Sequence, residues 1–134
     1  MNNKAKILLV DDDIDFINVN KKALENEGFE VIVAFSGREG LDAVRFEQPD
    51  VIVLDLVMEK HDSGFLFAKA VKADPLHKRI PILLLSSAAE TGYEFSQELD
   101  GYWMKTDDYA AKPLSPEELL GRVKGLLAKG IAQN

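Results

Sequence analysis

The chain contains no cysteine. That excludes a disulfide-stapled scaffold and a thiolate metal centre, and it fits a reducing compartment. A basic excess is also lacking: 16 Lys and Arg stand against 23 Asp and Glu, for a formal net charge of −7. A general nucleic-acid-binding or anionic-membrane surface needs clustered Lys and Arg, so neither partner is expected. No apolar run approaches the roughly 20 residues needed to span a bilayer. The start, Met1-Asn-Asn-Lys4, has no apolar segment of signal-peptide type. Internal repeats, low-complexity tracts and an interdomain linker are missing as well. What is present is 134 residues, 46% hydrophobic and 29% charged, enough for one sizeable core and ordinary for a globular domain. The expectation is one cytoplasmic domain over residues 1–128. A short polar-rich tail, 129–134, follows it, with no output domain visible after that.

Five short apolar runs read as strands: Ala5–Val10, Glu30–Ala34, Val51–Leu54, Pro81–Leu85 and Tyr109–Ala111. Ile7–Val10, Val51–Leu54 and Ile82–Leu85 are apolar at every position, as expected of strands buried on both faces of a helix-covered parallel sheet. Helical patterns lie between them. One starts near Asp13 and carries Phe16, Val19, Ala23 and Leu24 toward a stop at Gly28. A second opens on Ser36-Gly-Arg-Glu39, a capping-box spacing. A third covers about Gly64–Ala73, and a weaker fourth covers about Glu90–Leu99. The last opens on Ser115-Pro116-Glu117-Glu118, an N-cap serine, a proline at the first helical position and a glutamate three residues after the cap. This β-α alternation predicts an α/β doubly wound fold. Right-handed crossovers bring the C-terminal ends of parallel strands to one edge, where ligands of such sheets bind.

Chemistry collects at that edge. The first strand stops at Asp11-Asp12-Asp13, the third at Asp55, the fourth at Ser86 and the fifth at Lys112-Pro113. Taken as ionised, Asp11, Asp12 and Asp55 would repel one another, and a divalent cation together with one lysine balances them. An all-oxygen donor set suits Mg²⁺, which keeps several waters and bridges to phosphate. It does not suit zinc, for which no cysteine or nearby histidine is available. A carboxylate is also a nucleophile able to form an aspartyl-phosphate. The paired acids are the better metal holders and the single Asp55 the better nucleophile. Lys112 and the Ser86 hydroxyl are then placed to neutralise phosphoryl oxygens. Asp13 reads as a helix cap. His61 and His77 read as solvated loop residues, with no second ligand at metal spacing.

Ile7-Leu-Leu-Val-Asp-Asp-Asp13, Val51-Ile-Val-Leu-Asp-Leu-Val-Met58, Pro81-Ile-Leu-Leu-Leu-Ser86 and Tyr109-Ala-Ala-Lys-Pro113 together resemble the motifs of the response-regulator receiver domain of two-component signalling. The match covers roughly residues 5–128. Four motifs in that order at matching strand ends make it specific. The resemblance implies a CheY-like or flavodoxin-like five-stranded sheet in the order 2-1-3-4-5, an order the spacing alone does not supply. It implies that Asp55 accepts a phosphoryl group from a histidine kinase or histidine phosphotransfer protein. Asp12 would bind Mg²⁺ (or Mn²⁺) directly, Asp11 mainly through water, and Val57 through its backbone carbonyl. Ser86 and Lys112 would meet the phosphoryl group, with a cis bond between Lys112 and Pro113. Tyr109 would be the aromatic switch coupled to Ser86, acting on a protein partner at the face of the fourth helix and fifth strand. Such a protein catalyses its own phosphorylation but is not a turnover enzyme.

The chain departs from the family pattern in two segments. Met58 is followed by Glu59 rather than proline, and Gly64 arrives one residue late, so the loop 59–63 is longer and more polar. About four extra residues fall within 102–108. At the two positions that flank the attacking water in the family stand Val57 and Ala88, whose side chains form no hydrogen bonds, so slow spontaneous dephosphorylation is expected. Three alternatives stay open: a receiver belonging to a larger regulator or hybrid kinase, a flavin- or nucleotide-binding module on the same fold, and an aspartyl phosphatase. Three aspartates where a flavin site needs a Gly-, Ser- or Thr-rich loop weigh against the second. No obvious general acid or added cap supports the third.

Overall fold

The computed structural model describes residues 4–55, 63–87 and 108–133. The elements run β1 (Lys6–Val10), α1 (Ile14–Asn26), β2 (Glu30–Ala34), α2 (Gly37–Glu47), β3 (Val51–Asp55), α3 (Ser63–Ala73), β4 (Ile82–Ser87), β5 (Asp108–Lys112) and a C-terminal helix (Pro116–Gln133). All five strands pair in parallel in the order β2-β1-β3-β4-β5. The doubly wound α/β reading holds. The helix expected over Glu90–Leu99 lies outside the described residues, as do the loop 59–62, His61 and the segment 102–107.

Strands that are apolar at every position divide their side chains between two layers, because successive residues point to opposite faces. Leu8, Val10, Ile52, Leu54, Ile82 and Leu84 join Val44 of α2 and Phe67, Ala68 and Val71 of α3 on one face. Ile7, Leu9, Val51, Val53, Leu83 and Leu85 join Ile17 and Leu24 of α1 and Leu119, Val123 and Leu126 of the C-terminal helix on the other. β2 lies at the sheet edge, and Val31, Ile32 and Val33 are accordingly only half-buried.

The helix starts follow from the sequence. Asp13 Oδ1 accepts from the Phe16 amide at 3.1 Å and caps α1. Ser36 Oγ accepts from the Glu39 amide at 3.1 Å, but Glu39 reaches back to the amide of Phe35 rather than to that of Ser36. At Ser115 both arms of the capping box form: the Glu118 amide donates to Ser115 Oγ at 3.1 Å and the Ser115 amide to Glu118 Oε1 at 3.2 Å. α1 stops where expected, with Gly28 at φ +96°, a backbone region that glycine enters without a Cβ clash. Two expectations are revised. The C-terminal helix continues through Gln133, past the apolar face ending at Leu127 and into the stretch read as a tail. His77 is not a solvated loop residue: its side chain is 13% exposed, and Nδ1 lies 3.0 Å from Asp74 Oδ2.

Candidate functional site

The acids converge because the strands that carry them are adjacent and parallel. β1 pairs with β3 through Val10 and Leu54, so Asp11 and Asp55 leave neighbouring strands at the same edge. The Asp11 amide continues the sheet by donating to Ala34 O at 3.0 Å, which holds the chain until it turns into α1. Asp11 and Asp55 are buried while Asp12 is exposed, and all three offer carboxylate oxygens within 4.8 Å of one another. β5 delivers Lys112 from the far side of β4, in register with Ser87.

The Lys112 ammonium lies 2.8 Å from Asp11 Oδ2 and 3.5 Å from Asp55 Oδ2. Burial pulls its pKa down, but the hydrogen bond to Asp11 and the charges of Asp11, Asp55 and Asp13 outweigh that, and the ammonium is held above the ordinary lysine range. Asp11 is committed on both oxygens, since Oδ1 also accepts from the Asp13 amide at 2.9 Å. Among the described residues, three carboxylates against one ammonium leave a formal charge of −2, the charge one divalent cation cancels. Oxygens at this separation can face one hard cation directly or through water. The donor set therefore fits Mg²⁺ or Mn²⁺, with exposed Asp12 the most open of the three.

The structure brings together Asp11, Asp12, Asp55 and Lys112 among the residues singled out in the sequence. The backbones of Ser86 and Tyr109 lie in β4 and β5, opposite Ala111 and Leu84 respectively. Their side chains lie outside the described residues, as do Val57 and Ala88. The Lys112–Pro113 bond is cis, as the resemblance implies. One neighbour of the site was missed: the Phe16 ring, read only as a core position of α1, lies with its centroid 4.3 Å from Lys112 Nζ. Its position three residues after a capping aspartate that itself borders the acid pair was the available signal.

A parallel 2-1-3-4-5 sheet with carboxylates and a lysine gathered at its C-terminal edge defines the class of CheY-like domains. The family model of the response regulator receiver domain matches residues 7–124, and the chain belongs to that family, the receivers of two-component systems. The chain is 39% identical to the alkaline phosphatase synthesis transcriptional regulatory protein PhoP of Bacillus subtilis, over 92% of this chain and 49% of that protein. Among solved structures it is similar to a putative response regulator from Chloroflexus aurantiacus, with a TM-score of 0.81 and 32% identity over 94% of this chain and 99% of that one. The chemotaxis response regulator CheY4 of Vibrio cholerae gives a TM-score of 0.80 and 35% identity over 92% and 99%. The chain spans about half the length of the curated relatives it matches. Receiver domains bind Mg²⁺ through acidic residues, and Asp11, Asp12 and Asp55 form an acidic cluster of that kind. Among the described residues, no helix is long and apolar enough to cross a membrane.

Proposed function

We propose that the chain is a phosphorylation switch whose acceptor is Asp55, charged by a histidine kinase or a histidine phosphotransfer protein. The observation that carries this reading is the Lys112 ammonium shared between Asp11 and Asp55 at 2.8 and 3.5 Å, beside a cluster of three carboxylates. An Asp55 carboxylate oxygen attacks phosphorus. The O–P bond forms as the P–N bond to the donor imidazole breaks, and the electron pair of that bond returns to the ring nitrogen. Lys112 and the Ser86 hydroxyl meet the phosphoryl oxygens as hydrogen-bond donors, and stabilising the charge there lowers the barrier. Asp11, Asp12, Asp55 and the Val57 carbonyl would hold Mg²⁺ or Mn²⁺. When bound, that ion supplies positive charge against the phosphoryl oxygens.

Receiver domains are phospho-switches rather than turnover enzymes, and the output here is a change in affinity for a cytoplasmic protein partner. Tyr109 couples Ser86 to the partner face at the fifth strand, a two-state shift driven by the difference in phosphoryl contacts. Val57 and Ala88 give the aspartyl-phosphate a long lifetime, and faster decay on Val57→Asn is the expected check. A second reading embeds the same switch in a longer regulator with a nucleic-acid-binding output. It draws on the half-length match to relatives named as transcriptional regulators.

Intact mass after incubation with acetyl phosphate and Mg²⁺ tests the central claim. The wild type is expected to gain the mass of one phosphoryl group and Asp55→Asn none. No gain in the wild type overturns the proposal.

A further inference from the structure

We propose that Phe16 is a positioning residue: the face of its ring holds the Lys112 ammonium between Asp11 and Asp55. This rests on the reading of Lys112 as the cation that meets the phosphoryl group.

Among the described residues the ammonium meets three groups, Asp11 Oδ2 at 2.8 Å, Asp55 Oδ2 at 3.5 Å and the Phe16 ring at 4.3 Å from the centroid. The two carboxylates are nearly inaccessible, and the lysine side chain itself is 20% exposed. A lysine stem is flexible and its head strongly hydrated, so an ammonium at the mouth of a pocket tends to swing toward water. Here the outward direction carries two further attractions, the exposed carboxylates of Asp12 and Asp13. A lysine drawn to Asp12 would occupy the acid most open to a metal and give up its contact with Asp55. The ring opposes this. Its negative face attracts the ammonium while the two carboxylates hold it in the pocket.

Phe16 is bonded through its backbone on both sides. It is the third residue of α1, and its amide donates to Asp13 Oδ1 at 3.1 Å. Its carbonyl accepts from Asn20 Nδ2 at 2.8 Å. The ring rests against the apolar layer under α1 and the C-terminal helix. The cap that starts the helix therefore also sets the ring, and the ring sets the lysine.

The test compares phosphorylation rates with acetyl phosphate and Mg²⁺ for the wild type, Phe16→Tyr, Phe16→Leu and a protein with pentafluorophenylalanine at position 16. Tyrosine keeps the ring face and is expected to stay within about twofold of the wild-type rate, whereas leucine loses it and falls about tenfold. Pentafluorophenylalanine keeps the ring shape but reverses its quadrupole, so a purely structural role predicts no change and the positioning role predicts a loss similar to that of leucine. An unchanged rate in the fluorinated protein overturns the proposal. A crystal structure of unphosphorylated Phe16→Leu gives a readout independent of phosphoryl transfer. Lys112 Nζ is expected to leave the Asp11–Asp55 pair, and its staying bonded to both overturns the proposal. A wild type that gains no phosphoryl mass breaks the proposed function instead, and the position of Lys112 then still decides the role of Phe16.

Discussion

The two apolar layers on either side of the sheet are built from the same strands yet differ in kind. Under α2 and α3 the buried residues are uniformly apolar, and the helices come close enough that a Cβ at Gly40 would lie 2.8 Å from Phe67 Cε1 and 3.2 Å from Val10 Cγ2. That layer is fastened below by a short turn. Lys72 Nζ donates to the carbonyls of Lys78 and Ile80, and Asp74 Oδ1 accepts from the Leu76 amide at 2.9 Å. Under α1 and the C-terminal helix the packing includes a buried amide, Asn20, whose Oδ1 has no hydrogen-bond partner among the described residues. Its upper end is Phe16, which meets Lys112. One layer is apolar throughout, while the other admits a polar side chain where it approaches the chemistry. Apart from Asp11 and Asp55, Asn20 is the one buried polar residue among those described, and it lies one turn from the residue that touches the pocket.

The sharpest way to break this contrast is at Gly40. Alanine there improves helix propensity by about 1 kcal/mol. The added methyl must displace a buried phenyl ring rather than a flexible chain end, a strain of about 1–3 kcal/mol. A net loss of about 1 kcal/mol is expected in urea unfolding, and Gly40→Ala combined with Phe67→Leu should lose less than the two single changes added together. Strict additivity would mean that the layer is looser than its geometry indicates.

On the opposite side, Asn20→Leu is expected to stabilise the chain by about 1 kcal/mol. It removes an unsatisfied buried oxygen and leaves a side chain of similar shape. A lower urea midpoint would show that the amide is needed where it stands, and the contrast between the layers would then be one of function rather than of packing quality.

The smallest effect concerns the turn below α3. The Leu76 amide holds the Asp74 carboxyl below the usual aspartate range; burial opposes this, and the His77 and Arg45 charges add to it. A depressed folded pKa contributes stability that is present above the unfolded value and is lost as pH falls through the folded one. In an NMR titration the Asp74 carboxyl and the Leu76 amide should therefore move together at a midpoint below that of an unperturbed aspartate, while amides of the α1 layer stay still. A midpoint at or above the unperturbed value would remove this fastening from the comparison.

Much of the fold was legible because it is encoded locally. Ile7–Val10, Val51–Leu54 and Ile82–Leu85 have no polar position, and only a strand covered on both faces accommodates that pattern. Asp13, Ser36 and Ser115 begin helices because their side chains bond amides three residues on, within one turn of chain. Where the reading went astray, the contacts are short in sequence, but spacing alone does not choose among neighbouring partners. The Glu39 carboxylate accepts from the amide of Phe35 rather than from that of Ser36, and His77 turns inward to Asp74. Both depend on how a loop settles against an element already in place. The closeness of Gly40 to Phe67 joins two helices and cannot be read from either one.

By itself the sequence determined that the acids and the lysine would share one edge. Parallel strands joined by right-handed crossovers leave no other arrangement for residues just past their C-terminal ends. Only the tertiary structure decided how those residues divide their contacts. Lys112 and Asp11 are 101 residues apart in the chain, and the ammonium lies closer to Asp11 than to Asp55. Register across β4 and β5, burial at the sheet edge and a phenyl ring from α1 meet at that point. No periodicity within a single segment carries those three constraints, because each belongs to a pair of elements and takes effect only once they have packed.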